Sequence, residues 1–108
     1  MDSSGITTDP VLVRFREALT ETYADRLERF VLFGSRARGD ARPESEYDIA
    51  LFLRNMANRY RELDRLAHLS SNLIDETGEV VNAIVYAAEA NNERTPLMRE
   101  IRLEGVHL

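Results

Sequence analysis

The chain has 108 residues, a formal net charge of −5, 44% hydrophobic residues and no cysteine. A cysteine-free chain excludes a disulfide scaffold, a thiolate metal site and a cysteine nucleophile. All 14 basic residues are arginine, which excludes a P-loop lysine and any Schiff-base lysine. His68 and His107 are too few for a histidine-rich metal cluster. The acidic balance argues against stable nucleic-acid binding, which usually needs a strongly basic surface. At this length residues 1–108 make one domain. Met1–Thr8 is polar and has no apolar leader region. No apolar run approaches the length of a membrane span, so the expected compartment is the cytoplasm and no membrane contact is expected.

Asp9-Pro10 reads as a helix start, with Asp9 as the N-cap and Pro10 at the first helical position. Leu12, Phe15, Leu19, Tyr23 and Leu27 then recur at helical spacing and predict a helix over 10–27. Phe30 to Phe33 is a short apolar run ending at Gly34, which predicts a buried strand. Ser35 to Arg38 fits one helical turn closed by Gly39, and the polar stretch 40–45 with Pro43 fits a loop. Tyr47 to Leu53 is apolar at nearly every position and predicts a strand covered on both faces. Ala57 to Thr77 predicts a long helix with Leu63, Leu66, Ala67, Ser70, Leu73 and Ile74 inward and Gly78 as its stop. Val80 to Tyr86 predicts a third strand, 87–93 a loop, and Thr95-Pro96 a last short helix stopped by Gly105. The alternation predicts an α/β or α+β fold, a small mixed sheet of about three strands flanked by helices. So short a last helix is expected to leave apolar surface near Leu97, Ile101 and Leu108, the place for a helical partner or a second copy. His68 is expected near or at the surface of the long helix and His107 in a frayed tail.

The chemistry concentrates in residues 32–51. A buried strand ends at Gly34, and a helical turn begins at Ser35. Glycine admits another group close to the backbone, and amides at a helix start with a serine hydroxyl make an anion seat. Arg36, Arg38 and Arg42 add positive charge, so a phosphate is the natural guest. Glu46 and Asp48 stand two apart, on one face of a strand and about 7 Å apart along the chain. Two such carboxylates beside a phosphate can hold Mg²⁺, and a metal pair can align an in-line displacement. Tyr47 between them points to the other face, into packing.

Gly34-Ser35, ten residues, then Glu46-Tyr47-Asp48 resembles the signature of the DNA polymerase β-like nucleotidyltransferases, Gly-Ser followed after ten residues by Asp-x-Asp. The stretch Phe33-Gly34-Ser35-Arg36-Ala37-Arg38-Gly39 is similar to that of the minimal nucleotidyltransferases, and Thr95-Pro96-Leu97 and Glu104-Gly105-Val106 look like that family's tail. The resemblance covers nearly the whole chain. It implies that Gly34, Ser35, Arg36 and Arg38 seat the phosphates of ATP. It implies metal-holding carboxylates at Glu46 and Asp48, Mg²⁺ as cofactor, and transfer of AMP to a hydroxyl. It also implies an antitoxin role, with a helical HEPN-domain RNase toxin as the partner that is adenylylated.

Two positions depart from the family pattern. Glu46 stands where the first aspartate belongs and reaches one methylene further, and Mg²⁺ sites are sensitive to geometry. The third carboxylate belongs on the next strand, where the best-placed residue is the neutral Asn82, a degenerate metal position that can ligate through its carbonyl but cannot act as a base. Glu79 lies at odd spacing from it and so faces the other way. These departures set an alternative beside the enzyme: a weakened or inactive nucleotidyltransferase fold acting by binding its partner, or a nucleotide-responsive module.

Overall fold

The computed structural model describes residues 8–108; the polar segment 1–7, read above as no leader, lies outside the described residues. Helix α1 spans Pro10–Tyr23, and the Asp9 carboxylate accepts from the Val11 N–H at 2.8 Å. Its buried stripe is Val11, Leu12, Phe15, Leu19 and Tyr23. The helix stops four residues short of Leu27. Ala24 adopts φ +49°, and a 3-10 turn, Ala24–Arg26, leads into strand β1, Leu27–Phe33. Leu27 keeps the apolar spacing but pairs with Leu53 in the sheet. A period-four pattern therefore runs through a helix end unbroken, because both sides of the break face one core.

Helix α2, Ser35–Arg38, follows β1 and is closed by Gly39. Strand β2, Tyr47–Leu53, leads to helix α3, Arg59–Thr77, and strand β3, Val81–Ala87. A 3-10 turn, Ala88–Asn92, precedes helix α4, Pro96–Glu104, and strand β4, Val106–His107. The Asn58 side chain caps α3 by accepting from the Arg61 N–H, and Thr95 caps α4 by accepting from the Met98 N–H. Both helices thus start where a short polar oxygen can satisfy a free amide.

The strands form one mixed sheet in the order β3-β2-β1-β4. β1 is antiparallel to β2 and β4, and β2 is parallel to β3 through α3. One face carries Leu32, Tyr47, Ile49, Leu51 and Leu53 against α1 and α3; the other carries Val31, Phe33, Ala50 and Phe52 against Ala90, Met98 and Ile101. β2 is covered on both faces, as its unbroken apolar run predicts. Each completely buried Leu, Ile or Phe there contributes about 1.5–3 kcal/mol. Among the described residues, no helix is long and apolar enough to cross a membrane.

Four expectations need correction. The sheet has a fourth strand, and His107 pairs with Val31 in it rather than fraying. The α3 inner face carries Glu62, Leu66 and Leu73, whereas Ala67 and Ile74 are exposed. Glu62, in the first turn of α3, reaches Arg26 of the Ala24–Arg26 turn. Ile101 is buried against the sheet, and Leu97 and Leu108 are half-buried, so they form no open apolar face; Leu103 is the exposed apolar residue of α4. His68 is exposed, as expected, and lies 3.8 Å from Asp64 one turn earlier.

Glu62 is the buried charge of this half of the molecule. It accepts from Arg26 Nη2 at 2.7 Å and lies 3.5 Å from Arg65 Nη1. Arg26 in turn donates to the Arg54 carbonyl. The pair thereby ties α3 to the turn that ends α1 and to the end of β2. Glu62 is the buried member, and without Arg26 it keeps only Arg65 at 3.5 Å. Arg26→Ala should therefore lower unfolding free energy by about 1–3 kcal/mol in urea titration. A loss below about 0.5 kcal/mol, the range of an ordinary surface change, would remove the pair's role.

Candidate functional site

The site is built where β1 ends. Phe33, the last residue of β1, pairs with Asp48 in β2, so the next residue, Gly34, meets the Asp48 side chain. Gly34 has φ +75° and ψ −157°. A Cβ placed on it would stand 2.5 Å from Asp48 Oδ2. Both the backbone angle and the carboxylate require glycine. The chain then coils into α2. The Ala37 and Arg38 amides each donate to the Gly34 carbonyl at 3.1 Å, and the Gly39 amide donates to the Ser35 carbonyl at 3.0 Å. Ser35 therefore opens a tight turn directly beside a carboxylate.

Asp48 also pairs across the parallel ladder with Asn82 of β3. Asn82 Nδ2 donates to Asp48 Oδ1 at 3.3 Å. The turn at Gly34, Asp48 and Asn82 lie in one row across three strands, at the rim of the face covered by α4. Glu46 is exposed and sits two residues before Asp48, just outside β2. The third position read from sequence thus stands directly on the Asp48 carboxylate, with an amide in the place of a charge.

This donor set can be weighed against Mg²⁺. The ion is commonly held by one or two carboxylates plus substrate phosphates rather than by an all-protein cage. Asp48, with Glu46 two residues before it in the chain and an Asn82 carbonyl within a rotation of its amide, fits one such ion. Among the described residues, no three acidic or imidazole side chains converge. The chain alone therefore fits one ion shared with a nucleotide better than a protein-built pair.

The two arginines of the turn are placed differently. Arg38 is exposed and reaches Asp40 at 3.4 Å, Glu100 at 3.3 Å and Glu104 at 3.6 Å, the last two on α4. Exposed pairs of this kind are weak and exchangeable. The Arg36 guanidinium lies over the Tyr47 ring at 4.0 Å and donates to the Ser45 carbonyl at 3.1 and 2.7 Å. Glu79 lies 3.8 Å away. Tyr47 is buried, as its alternation with Asp48 predicts, and its hydroxyl donates to Asp9 at 2.8 Å. Burial, and then the Asp9 bond, push the Tyr47 hydroxyl up to about 12, so it stays a proton donor at physiological pH. Asp9, Ser45 and Glu79 had no sequence signal as a group, because they converge only in the fold.

Comparison with known proteins decides the lineage. The family described as Polymerase beta, Nucleotidyltransferase matches residues 17–108. The chain belongs to this nucleotidyltransferase family. An inferred protein adenylyltransferase of Methanocaldococcus jannaschii is 34% identical over 86 residues, 80% of each chain. A second from the same organism is 24% identical over 98 residues, covering 91% of this chain and 95% of the relative. Among solved structures, a toxin–antitoxin with AMP-PNP superposes with a TM-score of 0.60 at 20% identity, over 86% of this chain and 68% of that one. An inferred nucleotidyltransferase from Sulfolobus solfataricus superposes equally well, TM-score 0.60 at 24% identity, over 90% and 75%. At these identities the structures show a shared fold.

Two glycines separate contact from backbone strain in this turn. Gly39 has φ +86°, but a Cβ there would meet nothing within 4 Å. Gly39→Ala should cost only the strain of a left-handed residue, about 1–2 kcal/mol. Gly34→Ala pays that strain and also displaces the Asp48 carboxylate. Thermal unfolding should show Gly34→Ala as the less stable of the two. Equal losses would mean that the Gly34–Asp48 contact places no constraint on the turn.

Proposed function

We propose that this chain transfers AMP from ATP to a hydroxyl of a helical HEPN-type RNase toxin, acting as the antitoxin in the cytoplasm. The observation that carries the reading is the Asp48 carboxylate standing against Gly34. A phosphate-binding turn and a metal-binding carboxylate are useful to nucleotidyl transfer only when they meet the same triphosphate. Family membership and relatives named as protein adenylyltransferases support the reaction type. The fold shared with a toxin–antitoxin holding AMP-PNP supports the nucleotide and the partner class.

In this reading Gly34 and Ser35 seat the triphosphate. Arg38 exchanges its exposed pairs with Asp40, Glu100 and Glu104 for phosphate oxygens, while Arg36 stays behind the turn on the Tyr47 ring. Asp48 and Glu46 would hold Mg²⁺, which when bound supplies Lewis-acid neutralisation of phosphate charge. The acceptor oxygen forms its bond to the α-phosphorus, the bond to the bridging oxygen breaks, and pyrophosphate leaves. The acceptor proton would pass to Asp48 or Glu46, the carboxylates this reading assigns to the metal.

Asn82 favours a second reading, in which the fold is kept for binding the partner and transfer is weak. Its amide sits on Asp48 without adding charge, so the site lacks both a ligand charge and a base. Asn82→Asp tests whether position 82 is what weakens transfer. A general base is worth about 10²–10⁴ in rate, so Asn82→Asp should raise AMP transfer by a factor of that order. The readout is transfer of label from the α-phosphate of ATP to a co-expressed HEPN-type partner. If Asn82→Asp matches the parent in stability, Mg²⁺ affinity and transfer, position 82 is not the missing ligand.

A further inference from the structure

We propose that Arg36 is a positioning residue that acts through the loop carrying Glu46 rather than through contact with the nucleotide. This inference rests on the nucleotidyl-transfer reading above and assigns a separate task to one arginine of the turn.

Strand alternation divides the two sides. Tyr47 packs into the core beneath α1 and α3, whereas its neighbour Asp48 faces the other way. The Arg36 guanidinium lies on the Tyr47 ring, so it occupies the side of the sheet opposite the Asp48 carboxylate. Its side chain is only 18% exposed. Nε and Nη2 both donate to the Ser45 carbonyl, and Nη2 reaches the Pro43 carbonyl at 3.4 Å. The fork therefore grips the residue immediately before Glu46.

The grip is backed on both sides. Within the loop, Ser45 Oγ accepts from the Arg42 amide at 2.9 Å, and the Ser45 amide donates to the Arg42 carbonyl at 3.0 Å. Behind the ring, the Tyr47 hydroxyl holds Asp9, whose other oxygen caps α1. Glu79, just before β3, holds the guanidinium from the remaining side. The chain α1 cap, Asp9, Tyr47, Arg36, Ser45 thus links a 14-residue helix to an exposed carboxylate that has no strand of its own to fix it. Glutamate at position 46 has one more rotatable bond than aspartate, so its carboxylate gains most from a fixed backbone.

Arginine is required for its shape. Lysine keeps the charge but loses the two-pronged donation and the planar stacking on tyrosine. Arg36→Lys is therefore the deciding variant, with Arg36→Ala beside it. Three readouts are taken on the whole chain: amide hydrogen exchange over 41–47 without nucleotide, ATP affinity by calorimetry, and Mn²⁺ affinity in the ATP complex. Exchange over 41–47 is expected to rise at least about ten-fold in both variants while α1 and β1 keep their protection. ATP affinity is expected to stay within about two-fold in Arg36→Lys, and Mn²⁺ affinity to fall about ten-fold, the loss typical of removing an outer support of a metal ligand. Unchanged exchange would overturn the brace directly, and needs no nucleotide chemistry to be read. A ten-fold loss of ATP affinity with Mn²⁺ affinity unchanged would overturn it in favour of phosphate contact. If the parent binds no ATP, the transfer reading fails, and the exchange arm still decides the brace.

Discussion

The approach of the Asp48 carboxylate to the Gly34 backbone is the constraint around which the site is arranged. It exists because β1 and β2 pair in a register that sets Phe33 against Asp48. It requires glycine twice, for the positive φ and for the missing Cβ. The antiparallel β1–β2 pair brings the turn and the carboxylate together, and the parallel β2–β3 pair adds Asn82 on the next strand. Burial of β2 on both faces keeps that register from slipping, since a one-residue shift would turn Ile49, Leu51 and Leu53 out of their core.

The two faces of the sheet divide the labour. On the side of α4 stand the Asp48 carboxylate, the Asn82 amide that donates to it, and the exchangeable charge of Arg38. On the side of α1, Tyr47, Asp9 and Arg36 form a half-buried polar brace. The same five-residue stretch, Ser45 to Ile49, supplies both, because a strand alternates its side chains. A buried tyrosine with a satisfied hydroxyl and a stacked guanidinium costs little desolvation and fixes a loop that has no regular structure.

Much of this was legible in the sequence. β2 and α2 lie where apolar continuity and the glycine punctuation place them, and the Asp9, Thr95 and Gly78 terminal signals mark real helix ends. The Gly34 turn and Asp48 were legible as groups that could meet, because both lie at strand ends; Asn82 was legible only through the family resemblance. The end of α1 was not legible: Leu27 serves the core equally well from a strand. The exposure of Ala67 and Ile74 on α3 was not legible either, because both lie within the helix's apolar spacing. The roles of Asp9, Ser45 and Glu79 depended on contacts between segments far apart in the chain, which no spacing encodes. β4 spans two residues, too few for a periodic signal.

The central claim is that one triphosphate–metal complex touches both Gly34 and Asp48. A crystal structure of the chain with Mn²⁺ and a non-hydrolysable ATP analogue tests it most directly, because anomalous scattering locates the ion. The account predicts the triphosphate at the Gly34–Ser35 turn, Arg38 drawn from Glu100 and Glu104 onto it, and one Mn²⁺ shared between its oxygens and Asp48. A nucleotide bound elsewhere, or a Mn²⁺ ion away from Asp48, would contradict it.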